Sequence, residues 1–282
     1  MLDKPTGVTS ARAVAGIKRL LPRKTKIGHT GTLDPLASGL LVLVIGRATR
    51  LSRYVTGLDK TYTATARFGA ISDSLDADGN ITELNTPMPT EAAIQAAIPQ
   101  FTADIQQIPP MASAIKIGGE RLYAMHRRGE TVERQARPVT IHKLELTHLD
   151  TLANSATFHI HCTSGTYVRS LISDLAETLH SGAYLTALRR NSVGHLTLET
   201  ATTPQTLTPD CLKNHIIQTR CLVEHLPLLK VSDDVGWDVR SGRKIQAEGF
   251  TGSFRVENGD ELLGIYTADG VVGRAEVVLC AG

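Results

Sequence analysis

One stretch, Gly28-His29-Thr30-Gly31-Thr32-Leu33-Asp34-Pro35-Leu36-Ala37-Ser38-Gly39, limits what this chain can be more than any other, because it sets one carboxylate among glycines, hydroxyls and a proline. Such a string is neither an ordinary helix nor a strand. Its glycines permit positive φ and close backbone approach, and Pro35 fixes its own φ while pushing Asp34 out of the helical region. The apolar run from Leu40 to Ile45 follows and reads as a buried strand that anchors the loop. Asp34 is therefore expected at a defined point in space.

The rest of the composition is that of a globular chain. Its 282 residues and 41% apolar content suffice for one large and one small domain. The longest apolar run is too short to cross a bilayer and the N-terminus lacks a signal-peptide pattern, so a cytoplasmic location and no membrane partner are expected. Cys162, Cys211, Cys221 and Cys280 show no metal or disulfide spacing and are expected to be buried thiols. His159 and His161 alternate with Cys162, and no metal site is expected there. Asp73 to Gly79 imitates part of a calcium loop, but a calcium ligand set would need Ser74 and Asn85 at key positions, so calcium is not expected.

Net charge is only +2, yet it is unevenly spread: residues 1–60 carry +8 and residues 116–143 carry +4, while the remaining segments are negative. Two basic blocks, one holding the Asp34 loop, suit a polyanion drawn across that loop. On charge alone they could equally be solvated surface.

Thr9 or Ser10 caps a predicted helix through about Leu21, and residues 60–68 alternate as a strand with Tyr62, Ala64, Ala66 and Phe68 on one face. Ala64 and Ala66 are expected to leave room for a pocket beside Tyr62. A helix is predicted over residues 90–101, strands over 139–149 and 156–162, and an amphipathic helix over 168–179. Residues 108–138 read as an inserted arm, with a strand-like 112–117, a Gly118-Gly119 turn and a short basic helix. From Leu226 onward helix patterning gives way to short strands and glycine turns, a small β-rich domain. The fold class is α+β, with domains at 1–225 and 226–282.

A buried Asp34 needs a positive partner to stay ionised, since desolvation alone raises its pKa. Arg169, in Ser164-Gly165-Thr166-Tyr167-Val168-Arg169-Ser170 at a strand-to-helix junction, is the candidate, although read alone it is a surface arginine at a helix start.

The Asp34 string, with Asp3-Lys4-Pro5-Thr6-Gly7-Val8-Thr9-Ser10 before it, closely resembles the bacterial tRNA pseudouridine-55 synthases, the TruB family. The resemblance covers about residues 1–200 and, more weakly, a C-terminal PUA-type module. It implies a pseudouridine synthase fold with a mixed, mainly antiparallel central sheet flanked by helices. It also implies Asp34 as catalytic aspartate, Arg169 paired to it with Asp76 on the other side, and Tyr62 of Lys60-Thr61-Tyr62 stacked on the target base. Tyr167, Leu188 and Lys4 would help bind or support the site, and His29 would fill the gap left by a flipped nucleotide. Lys116, Arg121, Arg127, Arg128, Arg134 and Arg137 of the arm would grip RNA. The implied substrate is the T-arm loop of tRNA, with no cofactor, no metal, no obligatory protein partner and a monomeric state. The acidic final domain is not expected to grip phosphate strongly. Two other readings share these residues: a guide-RNA-type pseudouridylase relative, and a non-catalytic RNA chaperone that folds tRNA.

Overall fold

The structure, a computed structural model, describes residues 1–279; Cys280 lies outside the described residues. Its centre is an eight-stranded mixed sheet in the order Leu2–Lys4, Ser38–Leu41, Ala183–Val193, Lys60–Phe68, Ser155–Cys162, Arg137–Asp150 and Ala103–Gln107, with Leu196–Thr197 paired to Ala183–Val193. Every pair is antiparallel except Ser38–Leu41 with Ala183–Val193.

The alternation read from residues 60–68 is the pattern observed, with Tyr62, Ala64, Ala66 and Phe68 buried. That face joins Phe158, Ile160 and Leu185 of its neighbours and packs under Ala13 and Ile17 of the helix Ser10–Arg19, Ile94 and Ala97 of Glu91–Ala97, and Leu171, Ile172 and Leu175 of Val168–Thr178. Helices thus cover the sheet face that carries Tyr62. Burying large aliphatic and aromatic side chains stabilises by roughly 1.5–3 kcal/mol each, so this shared core is what holds the loops above it in place.

Several expectations change. The 40–45 run is broken at Val42: Ser38–Leu41 stays in the main sheet, whereas Leu43–Ile45 pairs with Ile27–His29 in a separate ribbon. The Asp34 loop thus leaves from one ribbon and returns into another sheet. Of its glycines only Gly39 has positive φ, +100°. A Cβ there would lie 2.3 Å from the Arg190 carbonyl oxygen. In the arm, the strand is confined to Lys116–Ile117, paired with Glu120–Arg121, and the helix is Leu122–Arg127. Of the three described cysteines, Cys162 is buried but Cys211 and Cys221 are only partly so.

The C-terminal region is a five-stranded sheet in the order Leu228–Lys230, Thr251–Asn258, Glu261–Asp269, Val272–Val278 and Ile245–Gln246. It also contains a helix, Asp233–Arg240, that contradicts the absence of helix read from the sequence. Ser232 at the N-cap position and Asp233 and Asp234 in the first turn are helix-start residues, masked by Gly236 and by the short span. This sheet shares an apolar core with the main body: Leu262, Ile265, Val277 and Leu279 pack with Leu40, Val42, Val44, Leu51, Val55 and Val193. Arg47 donates to the Leu279 carbonyl (2.8 Å), and Arg53 pairs with Glu276 (3.0 Å) across the same boundary. No helix among the described residues is long and apolar enough to cross a membrane.

Because Gly39 combines positive φ with a backbone contact that cannot yield, Gly39→Ala is expected to destabilise the fold by about 3 kcal/mol or more, read as a lowered thermal midpoint. An unchanged midpoint would contradict the register described here.

Candidate active site

Asp34 sits in the irregular segment between Ile27–His29 and Ser38–Leu41, fastened from three directions. Ser10 Oγ accepts from the Leu33 N–H (2.8 Å) and donates to the Leu33 carbonyl (2.9 Å). The fully buried Lys4 ammonium donates to the carbonyls of Pro5 (2.9 Å), Val8 (2.6 Å) and Pro35 (3.5 Å), so it supports the loop from below. Burial brings the Lys4 pKa down to about 8, against the pull of Asp34. The Arg190 guanidinium donates to the carbonyls of Leu40 (2.8 Å), Gly31 (3.1 Å) and Thr32 (3.4 Å). Backbone carbonyls in an irregular loop need partners, and here cations supply them.

Arg169, in the first turn of Val168–Thr178, is 5% exposed and lies between two carboxylates. It meets Asp34 Oδ2 at 3.0 Å through one terminal nitrogen and Asp76 Oδ2 at 3.0 Å through the other. The same nitrogens donate to the carbonyls of Ala112 (2.7 Å) and Ser74 (2.8 Å). Asp76 is 4% exposed and receives hydrogen bonds from Ser74 Oγ (2.6 Å) and the Asp78 N–H (3.1 Å). What resembled a calcium loop is thus a turn that aims Asp76 at Arg169, while Asp73 is turned to Asn80. Asp34 differs from Asp76 in being 39% exposed. Burial raises its pKa above the ordinary value of 3.8; Arg169 and Lys4 pull it back, and Asp76 and Asp78 push it further up. The guanidinium therefore opposes, without overcoming, the cost of desolvation.

Asp34 and Arg169 line a cleft of about 480 Å³ with Tyr62, Leu188, Tyr167, Lys60 and Arg190, a size in the ordinary range for small-ligand sites. Tyr62 and Leu188 come from neighbouring strands, registered with Arg190 opposite Tyr62 and Leu188 opposite Ala64. Ala64 and Ala66 do not line this cleft; both are fully buried in the core, so their small size serves packing and not a pocket. Burial raises the Tyr62 phenol pKa, and Arg190 acts against that rise. Tyr167 stands at the N-cap of the Arg169 helix, where the buried Gln107 side chain donates to its carbonyl (2.9 Å) and accepts from its N–H (2.7 Å).

A second cleft meets the first at Asp34 and Arg169, and contains His29, Asp73, Arg121, Tyr123, His126 and Arg127. His29 Nδ1 accepts from the Gly31 N–H (3.3 Å), and burial followed by the Arg190 charge lowers its pKa. The imidazole is thereby favoured in its neutral form with Nε2 as the donor. Of the arm cations, the structure brings Arg121 and Arg127 to this cleft, both stacked near the Tyr123 ring. Lys116 is exposed but lines neither cleft, and Arg128 is tied to Glu120 (2.5 Å) and Glu130 (2.7 Å). Arg134 folds back on the Pro109 carbonyl (3.2 Å), and Arg137 lies beside Tyr167 in a smaller neighbouring cleft of about 250 Å³.

Sequence reasoning missed Arg190, Gln107 and Ser10 as site residues. Arg190 lies two positions after Leu188, a residue already singled out, and so on the same face of the strand, a spacing that could have drawn notice. Nothing local marks Gln107 or Ser10, because their partners lie 60 and 23 residues away.

Chemically, the site offers one partly exposed carboxylate held by a guanidinium, an aromatic ring and a leucine within one cleft, and cations along an adjoining surface. Residues 18–168 match the family described as TruB family pseudouridylate synthase (N terminal domain). The chain is 40% identical over 275 residues to tRNA pseudouridine synthase B of Arthrobacter sp. (strain FB24), covering 96% of this chain and 89% of that one. It is 40% identical over 294 residues to tRNA pseudouridine synthase B of Burkholderia mallei (strain NCTC 10247), covering 99% and 96%. Among solved structures it is similar to a chain of the Cbf5-Nop10-Gar1 complex, with a TM-score of 0.75 at 25% identity, covering 99% of this chain and 84% of that one.

Removing the shared cation leaves Asp76 buried without its counter-ion, and breaking such a pair costs about 3–5 kcal/mol. Arg169→Met should accordingly lower the denaturant midpoint far more than Arg137→Met, which removes an exposed arginine. Equal effects from the two substitutions would mean that Arg169 is not buried between the carboxylates.

Proposed function

The chain belongs to the TruB family of pseudouridylate synthases and is an isomerase of tRNA, and from that premise we propose that it converts uridine to pseudouridine at position 55 in the T-arm loop. The observation that carries the reading is the Asp34–Arg169–Asp76 arrangement at the junction of two clefts.

The reaction breaks the bond from C1′ to N1, turns the freed uracil and rejoins it through C5, with the C5 proton passing to solvent and N1 regaining one. Its needs are a carboxylate at the sugar, a grip on the detached base and exclusion of water. Asp34 is the carboxylate, and being the more exposed of the two that share Arg169 it is the one able to meet a nucleotide. Arg169 directs the carboxylate and keeps it charged once a bound nucleotide has displaced water. Tyr62 provides an aromatic face for the uracil, worth roughly 1–3 kcal/mol per stacked base, and Leu188 closes the opposite side. A base inside a stack cannot reach such a cleft, so the target nucleotide is extruded. His29, neutral and in the adjoining cleft, stands where the vacated stack would lie, and Tyr167 and Lys4 hold the two sides of the site. Arg121 and Arg127, with Tyr123, contact the RNA near the cleft, while Lys116 and Arg137 extend the basic track. Arg128 and Arg134 contribute after giving up the contacts that hold them within the arm. The catalytic unit spans residues 1–225, with the arm at about 108–138 and a PUA-like unit at 226–282. The tRNA is the only partner required, and the protein acts as a monomer.

Label release from tRNA carrying 5-³H-uridine tests the reaction. Asp34→Asn should abolish release while leaving tRNA affinity within a few-fold, because removal of a reacting group acts on the chemical step and not on binding. Mapping of pseudouridine in a treated, unmodified transcript should place it at position 55 alone; binding without release by the unaltered protein would leave only an RNA chaperone. A pH profile gives a second check. Asp34 works ionised, so activity is lost as pH falls through its raised pKa, and Asp78 is one of the charges that raise it. Asp78→Asn should thus move the acid limb of kcat/KM to lower pH.

A further inference from the structure

Three cations line the cleft that holds Asp34 and Tyr62, and they differ in how firmly they hold a free charge. Arg169 is divided between Asp34 and Asp76. Lys60 turns its ammonium back onto the carbonyls of Thr56 (2.7 Å) and Leu58 (2.5 Å), and burial brings its pKa down to about 8, so its charge is less secure than that of a guanidinium. The third, Arg190, is 2% exposed and, among the described residues, forms no ion pair with a carboxylate. A buried guanidinium with only neutral acceptors is costly to keep charged, and buried charges without an opposite charge are rare in cores for that reason. Its cost is offset in part by the carbonyls of Leu40, Gly31 and Thr32.

Its place in the sheet is as informative as its charge. The Arg190 backbone is registered against Gly39 on one side and Tyr62 on the other, so one residue joins the strand that closes the Asp34 loop to the strand that carries the ring. Residues directly opposite in an antiparallel pair present side chains to the same face, which puts the guanidinium on the Tyr62 side, in the same cleft. Its field is felt by the surrounding groups: it lowers the pKa values of Lys4, His29 and Lys60, in each case after burial or, for Lys4, after burial and Asp34.

We propose that Arg190 is a further catalytic residue of the isomerisation, supplying a permanent positive charge that holds the freed uracil while its carbonyl contacts fix the Asp34 loop against the Tyr62 strand. The inference rests on the functional reading above. When C1′–N1 opens, the electron pair leaves with the base and spreads over N1, O2 and O4, while the electron-poor C1′ is met by the Asp34 carboxylate. When C5 joins C1′ the base's charge and the deficit at C1′ cancel and Asp34 is released; the C5 proton then departs to solvent, its bonding pair restores the ring double bond, and N1 takes up a proton. An anion present only between those two events is best met by a cation already in place and already desolvated, since it needs no reorganisation when the charge appears. Asp34 is fastened to Arg169 and the Lys60 ammonium is the more easily neutralised, so Arg190 is the permanent cation left for the base.

The experiment compares Arg190→Gln and Arg190→Lys with the unaltered protein in single-turnover label release at saturating 5-³H-uridine tRNA, with tRNA affinity and thermal midpoint measured alongside. Loss of one preorganised charged donor predicts a rate about 100-fold lower for Arg190→Gln, with affinity within about threefold. The lysine variant keeps the charge without the planar fork and should stay within about tenfold of the unaltered rate. A purely structural role would lower the midpoint and the competent fraction of both variants alike, leaving the rate of the bound fraction unchanged. The proposal is overturned by a full rate in folded Arg190→Gln, by equal losses in the two variants, or by a loss confined to affinity. Should Arg190→Gln not fold, Arg190→Lys decides alone: a rate lowered about three- to tenfold at unchanged affinity supports the role, and an unchanged rate or one about 100-fold lower overturns it. No release from the unaltered protein would defeat the functional reading and this inference together, whereas normal release with insensitive variants would defeat this inference alone.

Discussion

A guanidinium shared by two carboxylates is the interaction on which the site depends. Arg169 is buried, and what makes its burial tolerable is that both terminal nitrogens meet an anion and a carbonyl. The two aspartates are not equivalent. Asp76 is enclosed, hydrogen-bonded by Ser74 and the Asp78 N–H, and acts as the fixed counter-ion. Asp34 is open to the cleft and stays available. In the proposed reaction, a second, sealed carboxylate keeps Arg169 in its place when a substrate draws on Asp34. Preorganisation of this kind removes motion from the reacting step.

The loop that carries Asp34 has few regular hydrogen bonds of its own and is instead fastened by side chains from distant parts of the chain. Lys4 comes from the first strand, Ser10 from the first helix and Arg190 from the middle of the main sheet. Lys4 and Arg190 spend their donors on backbone carbonyls, and Ser10 donates to the Leu33 carbonyl while accepting from the Leu33 N–H. The Asp34 segment is thus irregular in conformation yet firmly placed, as the role proposed for Asp34 requires.

Legibility in the sequence followed the range of the interaction. The Asp34 string and the alternation of residues 60–68 depend on neighbours a few positions away, and both were readable. The strand Ala183–Val193 was not, although it lies in the interior of the sheet. Two register shifts, between Leu185 and Ala187 and between Arg190 and Ser192, break its period of two. A polar run through Arg189, Arg190 and Asn191 hides it further. The pairing of Arg169 with Asp76 spans 93 positions, and only the family resemblance pointed to it. Ala64 and Ala66 show the opposite error: small side chains beside a tyrosine suggested empty space, and the helix layer fills it.

The apolar seam between the main sheet and the C-terminal sheet has a consequence for how the molecule lives and dies. Leu40, Val42 and Val44 continue directly from the Asp34 loop, and they are buried against Leu262, Ile265 and Val277. The C-terminal sheet is therefore no tethered passenger. Melting either half strips the seam from the other, so both should be lost in one concerted transition, and a proteolytic nick between them would cost the loop its footing even with every residue near Asp34 intact.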